Sequence, residues 1–431
     1  MHVIEQFRAR EILDSRGRPT VWASCRLEGG IEGSASVPSG ASTGSAEAHE
    51  LRDGDPRRYR GLGCRKAVAN VNGPIHEAVQ GKAFVNQPEF DRFLIELDGT
   101  PNKSRLGANA ILAASVSFAR ACAQEAEVPL WQWFAGFADV RPGALPRLTI
   151  NLLSGGKHAG RQVAIQDVLI VPAAAATIDE SLVMAYDVYQ AAAKLIYERY
   201  GMRLLRADEG GLGPPCNSPE EMIEVALEAI KIAGYKPGSE VALAVDVAAS
   251  HFHTAQGYDL GARALSSHEM IERVRHWVEV YPIVSVEDGL AEDDWNSWPK
   301  LCGVIGVRSL VVGDDLLCTN PALIERAIQE RCCNALLLKV NQVGTLTEAA
   351  EACVLARSAG WQITLSVRSG ETEDNWAADL AVGWGADQFK NGSITQSERL
   401  AKYNRLLEIE QETGLAVTSW PGARECDVSH A

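Results

Sequence analysis

No stretch of this sequence comes near the 18 or so consecutive apolar residues that a membrane-spanning helix needs, so no membrane partner is expected. The opening residues Met1-His2-Val3-Ile4-Glu5 lack the basic-then-apolar pattern of a secretory signal. Positive charge is short: 41 Lys and Arg stand against 56 Asp and Glu, a net charge of −15. That argues against a nucleic-acid partner, whose phosphates call for basic surface. An anionic ligand would need cations concentrated locally. Lysine is scarce, 11 against 30 arginines, so a lysine at a chemically telling place carries information. Paired cysteines are missing too. The ten cysteines run from Cys25 to Cys426 without one C-x-x-C, and the adjacent Cys332-Cys333 is poorly placed for a relaxed bridge. They read as small buried apolar residues of a protein in a reducing cytoplasm. There is no internal repeat, and the alanine run 173–176 is too brief to be low-complexity.

What is present is globular. Apolar residues make up 46% and charged residues 23%, and 431 residues exceed one ordinary domain. Residues 1–60 read as a β meander: Val21–Leu27 alternates, then Glu28-Gly29-Gly30 turns. Residues 64–80 and 107–125 read as helices. The Pro-containing stretch Arg141–Pro146 marks a boundary between domains 1–140 and 141–431. Beyond it, short apolar strands recur, each ending in a polar residue: Ala242–Asp246, Ile283–Glu287, Leu310–Asp314, Leu336–Lys339, Ile363–Arg368 and Gln388–Lys390. Amphipathic helices fill the gaps, two of them opened by capping boxes at Ser218/Glu221 and Ser266/Glu269. Six strand–helix units in series predict a closed parallel β/α barrel behind a smaller α+β domain.

Residues at the carboxyl ends of barrel strands meet at one mouth. Here these are Asp246, Glu287, Asp314, Lys339, Arg368 and Lys390. Three converging carboxylates repel unless a cation sits among them, and oxygen-only donors favour a hard ion such as Mg²⁺. Asp288 and Asp315, each beside one of the three, read as supporting or capping residues. Lys339 follows Leu336-Leu337-Leu338, so burial and neighbouring cations should lower its pKa and suit it to a general base. Arg368, Ser369 and Lys390 suit an anion with several oxygens, such as a phosphorylated carboxylate. Two loops, Pro38–Gly44 and Asp208–Gly211, are candidate lids over the mouth.

Several separated segments together resemble the enolase family: EILDSRGRPT (11–20), PSGASTG (38–44), GANAILA (107–113), DEGG (208–211), PIVSVED (282–288), GDDL (313–316), LLKVNQVG (337–344) and SGETED (369–374). The resemblance implies an enolase-type barrel and a Mg²⁺-dependent hydro-lyase, dehydrating 2-phosphoglycerate to phosphoenolpyruvate with two metal ions. It implies Asp246, Glu287, Asp314 and Ser42 as metal residues, Lys339 as base and Glu209 as acid. Anionic surroundings should raise the Glu209 pKa so that it can donate a proton. His158, Gln166, Asp167, Arg368, Ser369 and Lys390 fall in or beside the family's substrate pocket, and a homodimer or larger homo-oligomer is expected. Four positions depart from the family: Asp167 for Glu, Val367 for His, His251 for Glu and Gln396 for Arg. Two of them lie near the leaving hydroxyl. The substrate therefore stays open between 2-phosphoglycerate and a phosphonate or phosphinate analogue of natural-product biosynthesis, as in carboxyphosphonoenolpyruvate synthases. A non-catalytic scaffold is the alternative of another class; intact Lys339 and Glu209 argue against it.

Overall fold

The computed structural model describes residues 1–41, 43–138, 140, 142–201, 205–261 and 263–421. Strands β1 (His2–Leu13), β2 (Pro19–Leu27), β3 (Glu32–Ser36) and β4 (Ala83–Phe84) form an antiparallel sheet in the order β3-β2-β1-β4. The meander ends at Ser36, short of residue 60. The following chain runs as a loop onto the second domain, where Ser39 and Gly370 exchange both backbone hydrogen bonds at 2.9 and 3.0 Å. The alternation expected in β2 is blunted because helix α1 (Ala108–Glu125) covers it. This helix is rich in Ala and Ser, so its backbone comes very close to β3. A Cβ on Gly33 would stand 2.2 Å from the Ala121 nitrogen, so only glycine fits. The helix expected over 64–80 is interrupted: Arg65–Asn70 and His76–Val79 are α-helical, with a π-helical turn between them around Pro74, which has no N–H to give.

The second domain is an eight-stranded closed barrel. Its strands are β5 (Arg147–Ser154), β6 (Asp167–Val171), β7 (Ala242–Asp246), β8 (Ile283–Glu287), β9 (Leu310–Gly313), β10 (Ala335–Leu338), β11 (Gln362–Ser366) and β12 (Gln388–Lys390). The last six are the strands predicted. The first two are additions, and one corrects the expectation of a wholly parallel sheet: β6 runs antiparallel to both β5 and β7. Consequently the first residue of β6, Asp167, lies opposite Asp246 at the mouth. Apolar side chains such as Leu169, Ala244, Val312 and Leu337 fill the interior, and Trp420 packs against them. The helices open as expected, with one difference. Ser266 and Glu269 form a complete capping box before α-helix Ser267–Val280. Ser218 accepts from Glu221 N, but the Glu221 carboxylate is taken by Asn217 N and the Tyr200 hydroxyl, so that box is only half made.

The domains are joined by buried and part-buried polar contacts. Arg120 reaches Asp374 at 2.5 Å, and the Asp91 carboxylate accepts from both Thr347 N (2.9 Å) and Thr347 Oγ1 (2.6 Å). No described helix is long and apolar enough to cross a membrane.

Candidate active site

The barrel brings the strand-end residues together. Asp246 and Glu287 are register partners on β7 and β8. Lys390 reaches across the mouth and spans them, its Nζ 2.8 Å from Asp246 Oδ2 and 2.6 Å from Glu287 Oε2. Lys339 Nζ lies 2.5 Å from Asp314 Oδ2, while Gln342 Nε2 donates to Asp314 Oδ1 at 2.9 Å. Gln166 Nε2 donates to Asp246 Oδ2 at 3.0 Å, and its own Oε1 is buried without a partner among the described residues. Asp288 does not point its charge into the mouth freely. Its two oxygens accept the backbone N–H groups of Asp314 and Asp315, each at 2.9 Å, so it fixes the turn that presents Asp314.

A cavity of about 20 Å³ lies at the centre, lined by Ala41, His158, Glu209, Lys339, Val367 and Arg368 among others. That is room for about one water. Ser42 lies outside the described residues. The Asp208–Gly211 segment is not a free lid. Glu209 O accepts from Ser393 N at 2.9 Å, Gly210 O accepts from Tyr189 Oη (3.2 Å) and Thr395 Oγ1 (3.0 Å), and a Cβ on Gly210 would strike Thr395. It is a built-in wall that holds Glu209 in place.

Behind Glu209 stands a polar chain. His158 Nε2 is 3.8 Å from Glu209 Oε1, and His158 Nδ1 is 2.8 Å from Asp167 Oδ2. The other Asp167 oxygen accepts from Asn151 Nδ2 and Ser154 Oγ, both at 2.7 Å. Asp167 is fully buried. Its oxygens are engaged by His158, Asn151 and Ser154, so it orients His158.

The electrostatics reverse two expectations. Burial alone would raise Glu209, but the positive charges of His158, Arg399, Lys390 and Lys339 outweigh it and hold the carboxyl at about 2. Glu209 faces cations, where anionic surroundings were expected. Burial alone would lower Lys339, but the Asp314 carboxylate beside it raises it instead. Its pairing with a bare carboxylate undoes the depression expected of a base. His158 is driven down by burial and up more strongly by Asp167 and Glu209, to about 9. Glu287 is pushed up to about 8 by burial and by the charges of Asp246 and Asp314.

This last shift tests the donor set. Even with Lys390 bridging two of them, the carboxylates carry more negative charge than the site supports, and every donor is oxygen. Such a set fits a hard divalent cation.

Sequence reading missed three contributors. Glu47 forms a two-pronged ion pair with Arg368, both contacts at 3.1 Å, and Asn341 Oδ1 accepts from the same guanidinium at 3.0 Å. Gln342 holds Asp314, as described. Asn341 and Gln342 lie in the recognised segment 337–344, next to Lys339, but nothing local to Glu47 announces its partner. Gln396 sits at φ 75°, before the last barrel helix, where an amide flip lets its nitrogen reach Asp208 O and Glu398.

Comparison with known proteins agrees with this architecture. The family model "Enolase, N-terminal domain" matches residues 4–134, and "Enolase, C-terminal TIM barrel domain" matches 143–427. The chain is 49% identical over 416 residues to Enolase 1 of Methylococcus capsulatus, covering 96% of this chain and 98% of that protein. Fold, site and relatives define a carbon–oxygen hydro-lyase built on a β/α barrel. The chain belongs to the enolase family.

Proposed function

We propose that the protein removes water from 2-phosphoglycerate, or from a close phosphonate or phosphinate analogue, to give an enolpyruvate product. The observation that carries this reading is the convergence of Lys339, Glu209 and Arg368 on one small cavity beside three carboxylates. Asp246, Glu287 and Asp314 would hold Mg²⁺, with Ser42 joining at a second ion. When bound, the metal supplies positive charge that offsets the negative charge building on the substrate carboxylate.

The chain's own residues divide the rest. Arg368 and Ser369 take the phosphoryl group, the guanidinium exchanging part of its fork from Glu47 and Asn341 to the phosphoryl oxygens. Lys339 takes the α-proton, which it can do only when Asp314 no longer holds its ammonium form. The electron pair left behind is held by delocalisation into the substrate carboxylate and, in a following step, forms the C2=C3 double bond as the C3–O bond breaks. Hydroxide is a poor leaving group and needs a proton. Glu209 delivers it, with His158 standing behind it, its Nε2 3.8 Å from Glu209 Oε1 and its Nδ1 held by Asp167. Lys390, Gln166 and the buried wall around Asp167 keep these groups in register.

The same reading places the domain division at 140/141, a homodimer or larger homo-oligomer in solution, and a reducing cytoplasm. Nine described cysteines, all free and eight of them buried, support the last point. One assay tests the whole. Purified protein with Mg²⁺ and 2-phosphoglycerate, or with a phosphonate or phosphinate analogue, should generate the ultraviolet absorbance of the enol product. Absence of turnover on both would overturn the reading.

A further inference from the structure

The two residues proposed to hold the phosphoryl group lie outside any regular element. Strand β11 ends at Ser366, and the next residue, Val367, still donates its N–H to Lys390 O at 3.1 Å. Beyond it the chain leaves the sheet just as it presents Arg368 and Ser369 to the central cavity. Both residues are buried, so their carbonyls need partners that the sheet no longer provides. One side chain serves both. Arg399, on the last barrel helix (Ser397–Thr413), donates from Nη1 to Arg368 O at 2.8 Å and from Nη2 to Ser369 O at 2.7 Å. Ser15 Oγ adds only a long 3.4 Å contact to Ser369 O.

Arg399 is fully buried and does not line the cavity. Burying a guanidinium is costly, and the nearest carboxylate offsets little of that cost. Glu398 Oε1 stands 3.5 Å from Arg399 Nε, which makes no hydrogen bond among the described residues. The surroundings are nevertheless shaped to admit it. Asn391 Nδ2, one residue after Lys390, donates to Arg399 O at 2.9 Å. Gly392 stands at φ 77°, and a Cβ there would come within 2.9 Å of Arg399 Cδ.

Peptide units are planar, so fixing the two units that flank a Cα fixes the direction of its side chain. Arg399 holds both units that flank Ser369. The unit before Arg368 is held too, because Arg368 N donates to Glu371 Oε1 at 3.1 Å. Ser369 Oγ accepts from Arg16 Nη1 at 3.0 Å, which leaves its O–H for a ligand.

We propose that Arg399 is a positioning residue for the phosphoryl site: by holding the carbonyls of Arg368 and Ser369 on its fork, it aims both side chains at the cavity without touching substrate. This rests on the elimination reaction proposed above. Lysine does not replace it, because a single ammonium on a flexible stem lacks the rigid fork that spans two carbonyls. Arg405 on the same helix serves as a control. Its guanidinium grips the Asp379 carboxylate, with contacts of 2.9 and 3.1 Å, and does not reach the 368–369 carbonyls.

The test sets Arg399→Lys against Arg405→Met. Thermal melts should show both variants folded and destabilised. Calorimetry of the Mg²⁺-loaded protein with inorganic phosphate should show roughly tenfold weaker binding in Arg399→Lys and parent-like binding in Arg405→Met. In turnover, KM for 2-phosphoglycerate should rise by about the same factor in Arg399→Lys, with kcat little changed. Should Arg399→Lys not fold, Gly392→Ala, which crowds the Arg399 stem, should weaken phosphate in the same direction. Parent-like phosphate binding in the variant at 399 or 392, an equal loss in Arg405→Met, or a loss confined to kcat overturns the positioning role. If the parent dehydrates neither 2-phosphoglycerate nor an analogue but phosphate binding depends on Arg399, the positioning role stands and the reaction assignment fails. If the parent dehydrates 2-phosphoglycerate and Arg399→Lys binds phosphate as the parent does, the reaction stands and the positioning role fails.

Discussion

Arg368 of the barrel and Glu47 of the first domain, 321 residues apart, form a two-pronged ion pair across the boundary between the domains. Both side chains are at least nine-tenths buried. Burial would lower the Arg368 guanidinium, but Glu47 raises it well above its ordinary value. The first domain thus supplies the counter-charge for the residue proposed to hold the substrate phosphoryl group.

Removing that counter-charge should leave a buried cation in search of an anion. Glu47→Gln keeps an acceptor but loses the charge, and about 1–3 kcal/mol of stability should go with it, on the scale of a weakened charged hydrogen bond. Millimolar phosphate should restore more thermal stability to the variant than to the parent. An unchanged response to phosphate would show that Arg368 is not an anion site.

Metal removal should be costly. Chelator should abolish turnover, and Asp246→Ala should weaken Mg²⁺ binding measured by calorimetry. A site filled at a hundred times its Kd adds about 2.7 kcal/mol, so the melting temperature should rise with Mg²⁺ in the parent and not in the variant. Full activity in excess chelator would sink the metal assignment.

Base and acid separate by isotope exchange. Lys339→Ala should abolish exchange of the substrate α-proton with solvent. Glu209→Gln should block dehydration while exchange continues, because proton removal precedes loss of hydroxide. Each should lower turnover by roughly 10²–10⁴-fold, the usual contribution of one positioned acid or base. The reverse pattern would mean the roles are exchanged.

His158 gives a pH dependence with a definite sign. Its folded pKa, about 9, lies above the ordinary histidine value near 6.5. The stability it contributes is therefore fully present below about 6.5 and is lost as pH rises through about 9. Melting temperature should fall across that window, and His158→Gln should flatten the fall. A parent protein equally stable at both ends of the window would contradict a protonated His158.

The departures from the family act unequally. Val367 lines the central cavity, so Val367→His should place a donor beside the leaving hydroxyl and raise turnover of 2-phosphoglycerate, up to roughly a hundredfold, or about 3 kcal/mol. Asp167 is fully buried and held on both oxygens, so Asp167→Glu alone should overpack and cost about 1–3 kcal/mol of stability. Steady-state rates and thermal melts of the two single variants decide this. Ordinary family-like turnover in the unchanged protein would mark both positions as drift.

The sequence by itself determined the barrel's main run and much of its mouth. Six apolar strands end in chemically distinctive residues, and the β/α geometry forces carboxyl ends to one side, so Asp246, Glu287, Asp314, Lys339 and Lys390 were legible by position alone. The strands β5 and β6 were not. Arg147–Ser154 is buried along its whole length and shows no alternation, and β6 runs backwards, so its functional end is its first residue. Only the resemblance to enolases drew attention to Gln166 and Asp167. The tertiary structure alone decided the charges. Protonation depends on which groups face one another across the mouth, and it set Glu209 among cations and Lys339 against Asp314, each opposite in sign to the expectation. It also decided the pairing of Glu47 with Arg368, because an ion pair between domains depends on distance in space, which no local pattern of residues records.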